Sequence, residues 1–487
     1  MARLVGSDDL FRLIHSLTPE EKGYYKKLAK RHTARGTNYV KLFDAINDQE
    51  VFEEKTLKQE FKHYAVMKVY LKDMITDSLM IYHKFNHPHI ELFNEIQRIH
   101  IFLIKGMVDE AIKVLKKALI TAREMEVFAI ERYLIRIYSE ISQQHLSGAK
   151  SIHEFFEQYK GSTEQNLKLE SDLTQWELLN AELFAGAKSK KGAGETADSV
   201  KSKTALSKRS EIKKLNCLFQ ANEITGHNAD NYEITKRQVE LSFDYKKKGD
   251  AAYNNVYLQC NHILTCIALG KYDEALDLAE KMVMAEKKQH FYFDLALLKS
   301  TVFKLTVYYH QRRFDEAIEL IKGKEAEVVS IANRLGDDVT LYQFYYHKLV
   351  FNLIKKNYQE CWMALQTIDD KEILKDSIED FADFEILQLI IQYEMGNNAT
   401  LKNLLKNDLR KFKKQGIGGE QYELILGFFK KVKPANIACL AQETLTQLNA
   451  HYTGNGSTPN KLFKLLPYTA LLTAYRDSKP LAEVLKP

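Results

Sequence analysis

The feature that most constrains the fold of this chain is a stretch of 345 residues between Pro88 and Pro434 that contains no proline. Proline breaks helix interiors, because it lacks a backbone N–H and its ring clashes with the preceding turn. At the usual frequency of roughly 5%, about 17 prolines would be expected in such a stretch. Strand-rich proteins also use proline in their loops, so the absence of proline predicts long helices joined by short turns.

Local sequence signals agree with this prediction. Thr18, Pro19 and Glu21 match a helix start, with a capping residue, a proline at the first helical position and an acid that reaches back to the cap. Between residues 61 and 82, apolar residues recur every three or four positions, as on one face of a long helix. Alternating strand patterns are scarce. The sequence therefore predicts an all-α fold.

The composition argues against several classes of protein. Of the 487 residues, 45% are hydrophobic and 28% are charged, which is typical of globular chains. The net charge of +5 is small for this length and argues against a protein coated in nucleic acid. The N-terminus lacks the features of a signal peptide. The sequence also contains no run of 18 apolar residues, which a membrane span would require. We therefore expect a cytoplasmic location and no membrane insertion.

A short pattern that recurs along the chain predicts turns between paired helices. Its clearest copy is Gly270-Lys-Tyr-Asp-Glu-Ala-Leu, and successive copies lie 40 to 44 residues apart on each side of a central gap. The six copies begin at Gly106, Gly148, Gly270, Arg312, Lys356 and Gly396. The spacing predicts helical hairpins of about 42 residues.

Two rows of residues test this register. The residues seven positions before the six turns are all aliphatic: Ile99, Ile141, Ile263, Leu305, Leu349 and Leu389. The residues eight positions before them are all polar: Arg98, Glu140, His262, Lys304, Lys348 and Gln388. A buried row beside a solvated row is the pattern that stacked amphipathic helices require.

The segment that starts at Gly270 resembles the turn and second-helix start of tetratricopeptide repeats. In those repeats the glycine permits a tight turn, and the alanine lets two helices approach closely. Two features depart from the family pattern: the unit is about 42 residues rather than 34, and the closing proline is missing. The chain is also similar to bacterial helical-repeat proteins that carry a distinct N-terminal helical segment. The resemblance implies an α-solenoid of antiparallel hairpins that binds proteins and performs no chemistry.

The sequence divides into three predicted parts. Residues 1–88 form an N-terminal helical segment, residues 89–433 the repeats, and residues 434–487 a C-terminal helical cap. Within the repeats, residues 186–206 are rich in Lys, Gly and Ser and are expected to be a flexible insertion. The pairing of the helices between 205 and 250 stays open.

Candidate chemical sites are weak. His83, His87 and His89 form a cluster of possible metal ligands, but Pro88 disfavours a helix that would bring the first two together. The five cysteines form no CxxC pair, and Cys260 and Cys266 are expected to be core thiols. No nucleotide, metal or hydrolase motif is present. We predict no metal, no cofactor and no enzymatic activity, with an uncharacterised enzyme as the third alternative.

A basic segment, residues 22–41, combines positive charge with tyrosines, a composition that nucleic-acid binders use. The candidate contacts are Lys26, Lys27, Lys30, Arg31 and Arg35. The other interpretation is a solvated helix whose tyrosines pack inward. A regulator that contacts nucleic acid here, while its repeats bind a peptide or protein, is therefore the second candidate function.

The first candidate function is a protein- or peptide-binding scaffold. Tyrosine-rich first helices between 250 and 360 are expected to line the concave side of the array, where ligands bind. The predicted groove residues are Asn255, Gln259, His262, Tyr308, Tyr345 and Lys348. The sequence does not identify the partner.

Overall fold

The computed structural model describes residues 9–32, 36–50, 52–84, 88–145, 149–185, 190–247, 252–286, 291–369, 378–415, 420–455 and 466–485. Over these residues the fold is all-α, with 24 α-helices, one short 3-10 helix at Asn228–Asp230 and no strand. The prediction of an all-α chain is confirmed. The residues group into two compact units, 1–269 and 270–487. The three-part division drawn from the sequence stays a prediction.

In the first unit, helices that are adjacent in sequence pack against each other, including α6 with α7, α8 with α9 and α12 with α13. Its helices are α1 (Asp9–Ser16), α2 (Pro19–His32), α3 (Gly36–Asn47), α4 (Glu54–Glu60), α5 (Tyr64–Tyr82), α6 (Pro88–Ile104), α7 (Val108–Glu124), α8 (Phe128–His145), α9 (Ala149–Phe184), α10 (Lys190–Ser202), α11 (Lys208–Thr225), α12 (Asn231–Lys247) and α13 (Ala252–Ala268). Separate apolar clusters draw on residues 10–75, 92–141 and 176–221.

In the second unit, one apolar cluster runs from Leu298 to Leu481, so the last helices share a core with the preceding ones. Its helices are α14 (Tyr272–Met284), α15 (Phe291–His310), α16 (Phe314–Leu335), α17 (Asp338–Ile354), α18 (Tyr358–Asp369), α19 (Ile378–Glu394), α20 (Asn398–Gln415), α21 (Glu420–Lys431), α22 (Ile437–Asn455), α23 (Tyr468–Asp477) and α24 (Leu481–Val484). Again, neighbours in sequence are neighbours in space.

The recurring sequence pattern coincides with one kind of turn. The described copies, at Gly106, Gly270, Arg312, Lys356 and Gly396, all have left-handed backbone with φ between 61° and 72°. At the first of them, the N–H of Met107 donates to the carbonyl of Phe102 at 2.9 Å and closes the end of α6. The same backbone bond follows Arg312 and Lys356. The copy at Gly148 lies outside the described residues.

The aliphatic row is buried at all six positions, as the sequence predicts, with at most 5% of any side chain exposed. The polar row is solvated only in part. Arg98 and Glu140 are exposed, but His262 and Lys348 are 4% and 7% exposed. The prediction of a uniformly solvated row is wrong at these two positions, because neighbouring helices cover them and supply polar partners.

The predicted flexible insertion contains helix α10. Ala193, Ala197 and Val200 lie four and three positions apart on one face and are buried against α9 and α11. Small side chains let these helices approach closely, so a segment of low apolar content still forms a packed helix. Residues 186–189 lie outside the described part of the chain.

Among the described residues, none of the helices combines the length and apolar character needed to cross a membrane.

Candidate functional site

Three helices of the first unit, α9, α11 and α13, surround a groove of about 630 Å³, with Ser242 of α12 at its wall. We call it the amide groove, because five of its lining residues carry side-chain amides: Asn180, Asn216, Gln220, Asn255 and Asn261. The remaining lining residues are Glu177, Phe184, Arg209, Ile212, Lys213, Tyr257 and Leu258. Most of the lining residues are therefore polar or charged, and Phe184, Ile212, Tyr257 and Leu258 add apolar surface.

Helix α11 forms one long side of the amide groove. Arg209, Ile212, Lys213, Asn216 and Gln220 recur at three or four positions, so they share one face of the helix. A single face over three turns gives the groove its length.

The N-terminal end of α11 is held by acids from distant parts of the chain. The Ser207 hydroxyl caps the helix by accepting from the N–H of Ser210 at 3.1 Å. The Glu126 carboxylate, in the turn between α7 and α8, accepts from the N–H groups of Lys208 at 3.2 Å and Arg209 at 2.8 Å. Asp172 of α9 accepts from the N–H of Leu206 at 3.0 Å. These bonds fix α11 against α9 and place both helices at the groove.

Asn255 is the most buried amide of the groove, with 1% of the residue exposed. Its Oδ1 accepts a hydrogen bond from Gln259 Nε2 at 2.9 Å and lies 2.9 Å from the Ser242 hydroxyl. Its Nδ2 has no hydrogen-bond acceptor among the residues that the structure describes. Because Oδ1 is engaged, the amide is oriented, and its Nδ2 is buried beside the groove without an acceptor among the described residues.

The other groups combine amide, charge and apolar surface. Asn216 Nδ2 donates to Asn180 Oδ1 at 2.6 Å and bridges α11 to α9. Lys213 Nζ lies 3.9 Å from Glu177, a long ion-pair contact. Phe184 and Tyr257 are 80% and 38% exposed at the rim. The groove thus offers paired donors and acceptors, a lysine and two exposed rings.

Of the predicted groove residues in the first unit, only some line the amide groove. Asn255 lines the amide groove, but Gln259 and His262 do not, and both are buried. His262 Nδ1 lies 2.9 Å from the Thr235 hydroxyl, and its ring lies 5.3 Å from that of Tyr232. The expectation of an open polar face at His262 is corrected, because α12 covers that face.

The predicted groove residues of the second unit are engaged within their own fold. Lys348 Nζ lies 2.8 Å from Glu325 and 3.4 Å from Glu360. Tyr345 is 6% exposed, and burial raises the pKa of its hydroxyl. Tyr308 is half-buried, with the Arg313 guanidinium 4.4 Å from its ring centre. The expectation that these side chains line an open surface is corrected for Tyr345 and Lys348.

The basic segment packs largely onto its own helices. Lys26 Nζ forms a 2.6 Å ion pair with Asp44, and Tyr25 is buried with its ring stacked on Phe43. The side chains of Lys27 and Lys30 are exposed. Arg31 lies in α2 with its side chain outside the description, and Arg35 lies outside the described residues altogether. One of the tyrosines on which the nucleic-acid interpretation rests, Tyr25, is therefore in the core.

The histidine and cysteine candidates have structural partners. His83 Nε2 lies 2.6 Å from a carboxylate oxygen of Glu21, which joins α5 to α2. Cys260 and Cys266 are buried, as expected of core thiols. Burial raises the pKa of the Cys217 and Cys361 thiols to about 12, so both are protonated at neutral pH. A protonated, buried thiol is a poor nucleophile.

Sequence reasoning missed most of the amide groove, including Asn180, Asn216 and Asn261. The available signal was the pair Asn216 and Gln220, four positions apart and therefore on one helix face. It could not be used without knowing that α11 packs between α9 and α12.

Comparisons with known proteins were made with protein-family models, with curated sequences and with solved structures. No family model, no curated protein and no solved structure matches this chain.

Proposed function

We propose that this chain is a non-enzymatic, cytoplasmic scaffold that binds a protein or peptide. It is built as a tetratricopeptide-like α-solenoid with units of about 42 residues. The observation that carries the binding proposal is the amide groove, in which Asn255 keeps an oriented, buried donor. Buried polar groups are normally paired, so a leftover donor at a groove is typical of a site that a partner completes.

The repeat architecture rests on the turns. The same left-handed conformation recurs at the positions where the sequence pattern predicts turns. Three of these residues are glycines, one is an arginine and one is a lysine. Each is preceded by a buried aliphatic residue seven positions earlier. A regular series of hairpins is the architecture in which non-adjacent helices form extended binding surfaces.

The alternative of nucleic-acid binding through residues 22–41 has weaker support. Tyr25 is in the core, and Lys26 is paired with Asp44. The described part of that segment keeps Lys27, Lys30 and Lys41 as exposed cations, which is a modest electrostatic footprint.

The test compares partner capture by the full chain with capture by a groove variant. Asn180→Arg with Asn216→Arg places two long cations in the amide groove. Gln158→Arg, on an exposed position of the same helix α9, is the matched control. We expect a defined set of host proteins, identified by mass spectrometry, to bind the wild type and the control but not the groove variant. Identical sets for all three chains would contradict binding at this groove.

A further inference from the structure

We infer that the amide groove binds the main chain of an extended segment of about five residues that carries an acidic side chain next to an apolar one. This inference rests on the proposed function and specifies its ligand. It follows from the chemistry of the lining residues, the length of the groove and its charge.

The amide side chains select an exposed main chain. A side-chain amide carries the same N–H donor and C=O acceptor as a peptide group, so amides in a row can pair with successive peptide groups. A helical ligand uses its own N–H and C=O groups internally. It would leave Gln220, and the amide groups of Asn180 and Asn216 that their mutual hydrogen bond does not use, facing unmatched groups. An extended segment has free main-chain groups and satisfies them.

Asn255 supplies the sharpest constraint. Its Oδ1 is engaged by Gln259 and faces Ser242, whereas its Nδ2 finds no acceptor among the described side chains and backbone. An unpaired donor on a residue that is 99% buried is unfavourable, and a small rotation of the side chain lets a carbonyl oxygen of the ligand pair with it. A main-chain carbonyl serves this purpose whatever the ligand side chain.

The length of the groove sets the length of the segment. Arg209 and Gln220 mark its ends on α11 and are eleven residues apart. At a rise of 1.5 Å per residue this distance is about 16 Å. An extended chain advances about 3.3 Å per residue, so about five residues span the groove.

Charge and apolar surface define the ligand side chains. The lining residues include two cations, Arg209 and Lys213, against one anion, Glu177. Lys213 is only loosely paired at 3.9 Å, so it favours an acid in the ligand. The exposed ring of Phe184 and the rim residue Tyr257 provide the contact for an apolar side chain.

The test uses a bead-displayed library of N-acetylated, C-amidated hexapeptides, screened against the full-length chain. We expect the enriched peptides to combine an acid with a neighbouring apolar residue. Methylation of single main-chain nitrogens in the best peptide should weaken its binding tenfold or more at one or more central positions, because a methylated nitrogen cannot donate.

Protein variants locate the binding. Asn255→Asp removes the Nδ2 donor and should weaken the selected peptide at least tenfold. Asn216→Ala, at a half-buried position, should weaken it severalfold and serves if the first variant fails to fold. Lys213→Glu should shift enrichment from acidic to basic peptides, and Gln158→Ala should leave affinity unchanged.

Three further outcomes separate this inference from the proposed function. If enriched peptides bind equally well to all variants, or tolerate methylation at every position, the inference is wrong while a scaffold function stands. If host proteins are captured in a groove-dependent way but no hexapeptide is enriched, the groove binds folded surfaces and the inference is wrong. If neither assay yields a groove-dependent ligand, the proposed function itself is wrong.

Discussion

Two regions of the chain bury polar groups in different surroundings. Around the amide groove, between α9 and α13, amides line a cavity, and Asn255 keeps a donor that the described structure does not use. Between α15 and α18, residues 291–369, several buried and half-buried polar groups join helices to one another. There Lys299 Nζ lies 3.0 Å from Asp337, and the Asp337 carboxylate caps α17 by accepting from the N–H of Thr340.

The second region shows what a structural polar group looks like. His347 is fully buried, with Nε2 2.9 Å from the Thr306 hydroxyl and Nδ1 2.6 Å from the carbonyl of Gln343. Burial raises the pKa of the Asp337 carboxyl, but Lys299 and the hydrogen bonds from Thr340 outweigh this, and the pKa lies below its ordinary value. The difference teaches that burial of a polar residue does not by itself mark a site, because the buried groups described here pair within their own unit.

The largest expected effect concerns His347. Burial lowers the pKa of its imidazole from 6.5 to about 4, so the unfolded chain takes up the proton first as the pH falls. Stability from this group is present above pH 6.5 and is lost progressively towards pH 4, by about 3 kcal/mol. Urea unfolding at the two pH values measures the loss.

The matched variants isolate this imidazole from other titrating groups. In His347→Gln, the loss of unfolding free energy between pH 6.5 and pH 4 should be about 3 kcal/mol smaller than in the wild type. His100→Gln, at an exposed position, should keep the wild-type loss. An unchanged loss in His347→Gln would mean that this histidine does not titrate as its burial requires.

The next effect concerns the ion pairs of Lys348. Glu325→Ala combined with Glu360→Ala leaves a buried ammonium without a counter-charge and should lower the free energy of unfolding by about 2–3 kcal/mol. This expected loss is smaller than that for breaking a fully buried ion pair, because the two glutamates are partly exposed. Lys348→Met removes the charge itself and should cost less than about 1 kcal/mol. Equal costs for the two changes, measured by chemical denaturation, would refute the interpretation.

A smaller effect is expected at the start of α11. Glu126→Ala removes the acceptor for the N–H groups of Lys208 and Arg209 and should lower the free energy of unfolding by about 1–2 kcal/mol. It should also weaken the selected hexapeptide, because the Arg209 end of the groove loses its support. Glu164→Ala, on an exposed position of α9, is the control. Normal peptide affinity in Glu126→Ala would show that the groove does not depend on this anchor.

The smallest effect compares the ends of two helices. After α11 the left-handed residue is Gly226, with φ of 85°, and after α17 it is Lys356, with φ of 61°. Lys356→Gly removes backbone strain and should raise the free energy of unfolding by about 0.5–1 kcal/mol. Gly226→Ala should lower it by about 1 kcal/mol. Thermal unfolding of both variants checks the opposite signs, and a stabilised Gly226→Ala would exclude strain as the cause.

Sequence reasoning reached the local features of the fold and stopped at the contacts between distant helices. The turns at Gly106 and Lys356 and the buried aliphatic row follow from composition and spacing, which act within one hairpin. The burial of His262 and Lys348 does not follow from composition and spacing, because a polar side chain is covered only where another helix packs over it. The helix at 190–202 was missed because its small residues, Ala193 and Ala197, resemble a linker in composition.

The amide groove could be predicted least. Its residues come from α9, α11 and α13, and the sequence left the pairing of the helices between 205 and 250 open. Asn255 was found because it lies in a helix that belongs to the repeating pattern. Asn180 lies in α9. This helix has 36 residues, from Ala149 to Phe184, and is longer than the helices of the repeating pattern. A pattern with a fixed period cannot assign a partner to such a helix.

The anchor of α11 has a consequence for the order in which the chain is made. Glu126 leaves the ribosome 83 residues before Arg209. Its carboxylate accepts a hydrogen bond from the backbone N–H of Arg209. The Glu126 carboxylate, in the turn between α7 and α8, is therefore made well before the N–H groups that it accepts from. The amide groove can form only when α11 has emerged. A substitution in that turn lies far in sequence from every residue that lines the groove. It should nevertheless slow the formation of the groove or weaken its packing, without contacting a ligand.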